Sequence, residues 1–309
     1  MIFLKVIEKT KIKPFVKWAG GKGQLIPIIS NHLPIELEEN KIKKYIEPFI
    51  GGGAVLFYFL QNYHFEEVII NDLNEDLINL YRTIKNDVNK LIDELRKLSD
   101  EYLPLDEESR KIYYYLIREK YNNNSLDMLR KSAYFIFLNK TCFNGLYRVN
   151  KKGEFNVPHG KYKNPLILDE NNLISVSRAL QNVQILSGDF EIIESYVDEN
   201  TFVYFDPPYR PLNTTSSFTS YQKNDFDDDE QRRLAEFYHR LNDKGAKLML
   251  SNSDPKNTDE NDEFFELLYK SSEIKGSENI NIIRVEASRS INSNGNGRGK
   301  IKELLILNY

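Results

Sequence analysis

Cysteine is almost absent: Cys142 is the only one in 309 residues. A disulfide framework within the chain and a cysteine-rich zinc site are thereby excluded. Its neighbours Thr141, Phe143 and Asn144 offer no base, so a structural role is expected rather than a nucleophilic one. Long hydrophobic runs are missing as well. No segment approaches the roughly 18 apolar residues of a membrane span. The apolar run in Met1-Ile2-Phe3-Leu4-Lys5 is too short for a signal peptide. A cytoplasmic protein without membrane association is expected. No Walker-type phosphate loop occurs, which argues against ATP. Net positive charge is lacking too, at −4 overall. Basic residues are nonetheless clustered. Residues 1–23 carry six Lys against one Glu, and residues 140–163 carry six Lys or Arg against one Glu. Residues 284–302 carry five more, offset by Glu286. A polyanion binder needs a basic face rather than a basic total.

What is present has the pattern of an α/β protein. Short apolar runs bounded by Gly, Pro, Asn or Asp predict buried strands at Tyr45–Phe49, Val68–Leu73, Gln184–Gly188, Thr201–Phe205, Lys247–Asn252, Asn281–Ala287 and Glu303–Tyr309. Helical spacing predicts helices at Gly23–Leu33, Gly53–Gln61, Asp229–Asn242 and Glu263–Ser271. Strands alternating with helices imply a mainly parallel sheet of about seven strands, covered on both faces. Residues 76–140 break the rhythm. Leu77, Leu80, Tyr81, Ile84, Val88, Leu91, Ile92 and Leu95 mark one amphipathic helix, with two more at Glu108–Tyr121 and Leu126–Lys140. Residues 141–165 then turn loop-like. The expected division is a catalytic domain of residues 1–76 and 166–309, interrupted by a helical unit of residues 77–165 with a basic loop.

Four motifs carry chemistry. Asp206-Pro207-Pro208-Tyr209 follows the strand-like Thr201–Phe205, and strand ends are where open α/β sheets bind ligands. The prolines remove two amide donors and leave carbonyl acceptors. A carboxylate and a carbonyl together suit a planar amino group with two hydrogens to donate, and Tyr209 suits a face-on contact with a base. An exocyclic amine is a poor nucleophile because its lone pair is delocalised, and acceptors for its protons help that pair localise. Glu47-Pro48-Phe49-Ile50-Gly51-Gly52-Gly53 follows the first strand and lets backbone approach a ligand. Asp72 lies 21 positions after Gly51, about where a nucleotide-binding fold places a carboxylate for ribose hydroxyls. Lys17-Trp18-Ala19-Gly20-Gly21-Lys22 holds the only Trp, and a cofactor role would require it to fold back beside the glycine loop. Asn144-Gly145-Leu146-Tyr147-Arg148, continuing through Pro158 to Tyr162, mixes basic, aromatic and amide side chains of the kind that read base edges. A structural Trp, a Pro-rich turn and a solvated basic loop are the plain alternatives.

These elements in this order, with Arg289–Gly295 near the end, resemble the Dam family of DNA adenine-N6 methyltransferases, of the D12 class and alpha group. The resemblance is nearest to members of restriction–modification systems that recognise GATC. It spans nearly the whole chain and departs at the glycine-rich Gly297-Arg298-Gly299-Lys300. It implies a Rossmann-like sheet binding S-adenosylmethionine, with the helical unit reading the DNA target. Trp18, Lys22, Asp72 and Asp206 match positions lining the cofactor site, and Phe49, Gly51, Gly53 and Asp189 are grouped with them. Lys17 matches a residue reading the outer guanine, and Arg148 one reading a base in the second half of the target. Leu146, Pro158 and Tyr162 match other target contacts, Phe143 an intercalating aromatic, and Asn144 joins them. The implied reaction is direct methyl transfer to a flipped adenine of double-stranded DNA. Asp206, Pro207 and Tyr209 would be the catalytic residues, no metal would be required, and a companion restriction endonuclease would share the target. Cytosine N4, RNA adenine or a protein amide as acceptor, or a non-catalytic DNA-binding relative, are the competing readings. Asp at position 206 favours adenine over cytosine, where Ser is commoner.

Overall fold

The apolar runs assemble into a single seven-stranded sheet: β1 (Lys44–Glu47), β2 (Glu67–Ile70), β3 (Val183–Ile185), β4 (Thr201–Phe205), β5 (Lys247–Ser253), β6 (Asn281–Ser288) and β7 (Lys300–Leu307). The computed structural model describes residues 11–123, 125–210, 226–271, 276–288 and 300–309. Strand order is β3-β2-β1-β4-β5-β7-β6. The first five pair in parallel, while β7 runs antiparallel to both β5 and β6. All five residues of β4, at the centre, are buried. That is the continuous apolar run expected of a parallel strand covered on both faces.

Side chains alternate between the two faces, so each strand feeds two cores. Tyr45, Val68, Ile70, Phe202 and Tyr204 belong to one. Ile46, Ile69, Val203 and Phe205 belong to the other. The first is covered by α3 (Ala54–Asn62), α4 (Glu75–Tyr102) and α7 (Glu170–Leu180), together with the short α1 (Ile26–Ser30) and α2 (Ile35–Glu38). The second is covered by α8 (Asp228–Asp243) and α9 (Phe264–Lys270). The acidic start of α8 is a cap: the Asp227 carboxylate accepts from the Asp229 and Glu230 amides. No helix of the described residues is long and apolar enough to cross a membrane.

Between β2 and β3, α4 packs against α6 (Met128–Thr141), which packs against α5 (Glu107–Asn122). All three helices begin on an Asn or Asp side-chain cap: Asn74, Asp106 and Asp127. The backbone of α4 leaves helical geometry at Asp87, with φ −133° and ψ 34°, so its two halves have different directions. The loop after α6 is tied down more firmly than its composition suggests. Phe155 and Val157 are buried. Asn122 exchanges two hydrogen bonds with the Phe155 backbone, and the Tyr114 hydroxyl donates to the Val157 carbonyl at 2.8 Å.

Several element boundaries differ from expectation. The stretch 23–33 splits into a 3-10 turn at Lys22–Gln24 and the short α1, with Pro27 in its first turn. The β1 ladder stops at Glu47, before Pro48, which has no amide hydrogen to extend it. α7 and the 3-10 segment Phe190–Tyr196 were not predicted. The Arg289–Gly295 stretch, the glycine-rich residues 297–299 and the basic residues before position 11 lie outside the described residues.

Candidate active site

Asp206 leaves the end of β4 at the edge where the parallel strands finish. Its carboxylate is partly buried and meets the Lys22 ammonium at 2.8 Å. The same Nζ donates to the Gly20 carbonyl at 2.7 Å and lies over the Tyr209 ring, 4.2 Å from its centroid. Lys22 is only 5% exposed, so the 3-10 turn at the chain's start delivers a buried cation to the centre. The Ser251 hydroxyl of β5 donates to Asp206 Oδ1 at 3.2 Å. Burial pushes the Asp206 carboxyl above the usual range, while Lys22 and Ser251 pull it back.

The turn after Asp206 is clamped from outside. Gln231 donates to the Pro208 carbonyl at 3.0 Å, and the Arg210 amide donates to Asn252 Oδ1 at 3.2 Å. The Arg210 guanidinium binds Asp228 with two hydrogen bonds, reaches Asp262 at 2.7 Å, and covers the Phe264 ring. The Pro207 carbonyl takes none of these bonds. The Tyr209 hydroxyl donates to Glu303 Oε2 on β7 at 2.7 Å, and burial holds this phenol well above its ordinary pKa.

The N-terminal segment does fold back beside the glycine loop. A Cβ on Gly51, whose φ is +47°, would stand 2.9 Å from Trp18 Cδ1, and one on Gly52 would stand 3.2 Å from Trp18 Cβ. Trp18 is thus a wall of this loop. The Asp72 carboxylate accepts from the Gly51 amide at 3.0 Å and the Asn74 amide at 2.9 Å. Burial still pushes its pKa up, so it gains from further donors such as sugar hydroxyls. Phe49 faces Phe190 at 5.4 Å. Behind them Asn71 is fully buried, donates to the Pro48 and Gly188 carbonyls, and keeps an unpartnered Oδ1. Backbone approach, aromatic rings and an underused carboxylate fit a nucleoside-bearing ligand. Asp189 is engaged elsewhere: both its oxygens take Arg233, at 2.7 and 2.9 Å, which holds its pKa low.

The expected target-reading residues other than Lys17 lie on the loop after α6, and Lys17 packs against it. The Lys17 ammonium lies 5.2 Å over the Tyr162 ring. Asn139 of α6 accepts from the Lys17 amide, donates to the Lys17 carbonyl, and donates to the Gly145 carbonyl. The Lys17 side chain crosses Gly145 so closely that a Cβ there would overlap it. Phe143 is 51% exposed beside the exposed Asn144, and its amide donates to the Pro158 carbonyl. Leu146 is half-buried, its carbonyl taking the Cys142 thiol at 3.2 Å. Arg148 is exposed, bound through Nε to Asn156, and lines an open groove of about 540 Å³ with Asn150, Lys151, Lys152, Glu154 and Asn156. Tyr147 stacks on Trp18 at 5.1 Å and on Phe135 at 5.2 Å.

Sequence reasoning missed Ser251, Asn139, Arg210 and Glu303. Ser251 and Glu303 had a signal, as polar residues within apolar strands. The arrangement offers a carboxylate and a carbonyl acceptor at Asp206 and Pro207, near a glycine loop walled by Trp18. A family model described as D12 class N6 adenine-specific DNA methyltransferase matches residues 18–291. The chain is 59% identical to the type II methyltransferase M.MjaIII of Methanocaldococcus jannaschii, over 97% of this chain and 100% of that one. It is 38% identical to the type II methyltransferase M1.LlaDCHI of Lactococcus lactis, over 99% of each. It is 35% identical to the DNA adenine methylase of Vibrio cholerae, over 96% of each.

Proposed function

We propose S-adenosylmethionine as the methyl donor and GATC as the target, from the premise that the chain belongs to the family of D12 class N6 adenine-specific DNA methyltransferases. The observation that carries the site assignment is the Lys22–Asp206–Tyr209 cluster. The donor supplies a methyl group already activated on a sulfonium. Gly51, Gly53, Phe49, Asp72 and Trp18 would hold it, with Asp189 acting through its backbone. The Asp206 carboxylate and the Pro207 carbonyl would accept the two hydrogens of the adenine amine. Burial raises the pKa of that carboxylate, and Lys22 acts against the shift, favouring the ionised form. Flipping the adenine costs a few kcal/mol. Stacking on Tyr209 would offset about 1–3 kcal/mol of it.

Residues 77–165 would form the target-recognition unit. Lys17 and Tyr162 would read one side of the site, and Leu146, Arg148 and Pro158 the other. Phe143 would intercalate beside Asn144. Two relatives are named type II methyltransferases. Their names favour a place in a restriction–modification system, beside an endonuclease of the same target, in the cytoplasm. The test uses labelled donor and plasmid DNA from a methylation-free host. Label should enter adenine and GATC sites should resist a methylation-sensitive endonuclease. Asp206→Ala should lower transfer about 10²-fold or more while DNA binding survives. Label in cytosine, or wild-type turnover in Asp206→Ala, would overturn the reading.

A further inference from the structure

β7 is antiparallel, so its first half lies at the edge where the parallel strands end. Glu303 there pairs in register with Ser253 of β5, two residues beyond the Ser251 that holds Asp206. It is half-buried in the middle of β7, and the next four residues of the strand are buried and apolar. A carboxylate in such surroundings needs a partner, and it has the Tyr209 hydroxyl at 2.7 Å. The bonds from Gln231 and Asn252 fix the backbone around Tyr209 but leave its side-chain torsions free. The ring itself is held at two points, by Lys22 on its face and by Glu303 at its hydroxyl. An O–H to carboxylate bond is short and charge-assisted, so it fixes direction as well as distance. Burial keeps the phenol protonated, and therefore a donor, across the working pH range.

We propose that Glu303 is a positioning residue for methyl transfer, holding the Tyr209 ring at the angle on which the flipped adenine stacks. The proposal rests on the role given to Tyr209 above. Glu303 touches neither donor nor base and acts only through the hydroxyl. The bond would make Tyr better than Phe at this position.

The test compares Glu303→Ala, Glu303→Gln, Tyr209→Phe and the Glu303→Ala/Tyr209→Phe double variant in single-turnover transfer. Flipping is followed with 2-aminopurine at the adenine mapped as methylated. Glu303→Ala should transfer about tenfold more slowly and hold less of the probe extrahelical, the loss of one charge-assisted hydrogen bond. The donor dissociation constant should stay at its wild-type value, while the DNA dissociation constant rises no more than the loss of flipping requires. Glu303→Gln keeps an acceptor and should recover most of the rate. Tyr209→Phe leaves β7 intact and should show the same loss even if Glu303→Ala folds poorly. In the Tyr209→Phe background, Glu303→Ala should add nothing. Additive losses, a wild-type rate in Glu303→Ala and Tyr209→Phe, or a loss confined to donor affinity would overturn the proposal. Asp206→Ala separates the two claims. If it is dead while the Glu303 variants run at full rate, only the positioning role fails; if it turns over, the site itself is misread.

Discussion

Replacing Lys22 with Met keeps the apolar stem and removes the ammonium that meets Asp206 at 2.8 Å. Removing one partner of a buried pair costs about 3–5 kcal/mol. Asp206 retains 21% exposure, which brings the expected loss down to about 2–3 kcal/mol. At roughly 2 °C per kcal/mol for a chain this long, the melting temperature should fall by about 5 °C near neutral pH. The pH dependence discriminates further. Burial already holds the Asp206 carboxyl above its ordinary range, and Lys22 opposes that shift. Without Lys22 the native pKa rises further. A carboxyl raised in the folded state contributes most stability below its ordinary pKa and loses it as pH rises through the raised one. Variant and wild type should therefore converge below about pH 4 and diverge toward pH 7. Calorimetric melting temperatures between pH 4 and 8 measure this, alongside the pH–rate profile of methyl transfer. Since the ionised carboxylate is a much stronger acceptor for an amine hydrogen than the neutral carboxyl, the profile should move to the alkaline side. A deficit that stays flat across this range, or an unmoved profile, would refute the role given to Lys22.

Gly51→Ala would force a side chain into left-handed backbone and against Trp18, costing about 1–2 kcal/mol in strain alone. Weaker donor binding should follow, read from the fluorescence of the single tryptophan. Asn139→Ala frees the Lys17 backbone and the Gly145 carbonyl, and should cost about 1–3 kcal/mol of stability. DNA affinity, measured by anisotropy, should fall more than donor affinity. The Cys142 thiol is buried and its pKa is pushed up to about 12, so it should resist Ellman's reagent at pH 8 until the protein unfolds.

The strands were legible because parallel strands buried on both faces need unbroken apolar runs, and β4 fell on its predicted residues. The helix α7 was not. Its apolar positions Leu173, Val176 and Leu180 are interspersed with buried Asn172 and Ser177. Asn172 is satisfied there by the Lys13 backbone, 159 residues away, and no local pattern announces such a partner. The site divides in the same way. Asp206, Tyr209, Gly51 and Asp72 declare themselves by motif. Ser251, Asn139 and Glu303 matter only because the sheet order and the folded-back N-terminus bring them to those motifs. The partners of Asp189 were hidden likewise, since Arg233 arrives on a helix 44 positions later.

The three nearly parallel rings of Trp18, Tyr147 and Phe135 have a thermodynamic consequence. Trp18 is at once a wall of the glycine loop and a stacking partner of the residue preceding Arg148. Under the proposed assignment, anything that resettles the indole from the donor side would change the energy of occupying the DNA side. Linkage makes that effect equal in both directions. If donor and DNA bind as proposed, this one shared aromatic surface would couple their binding.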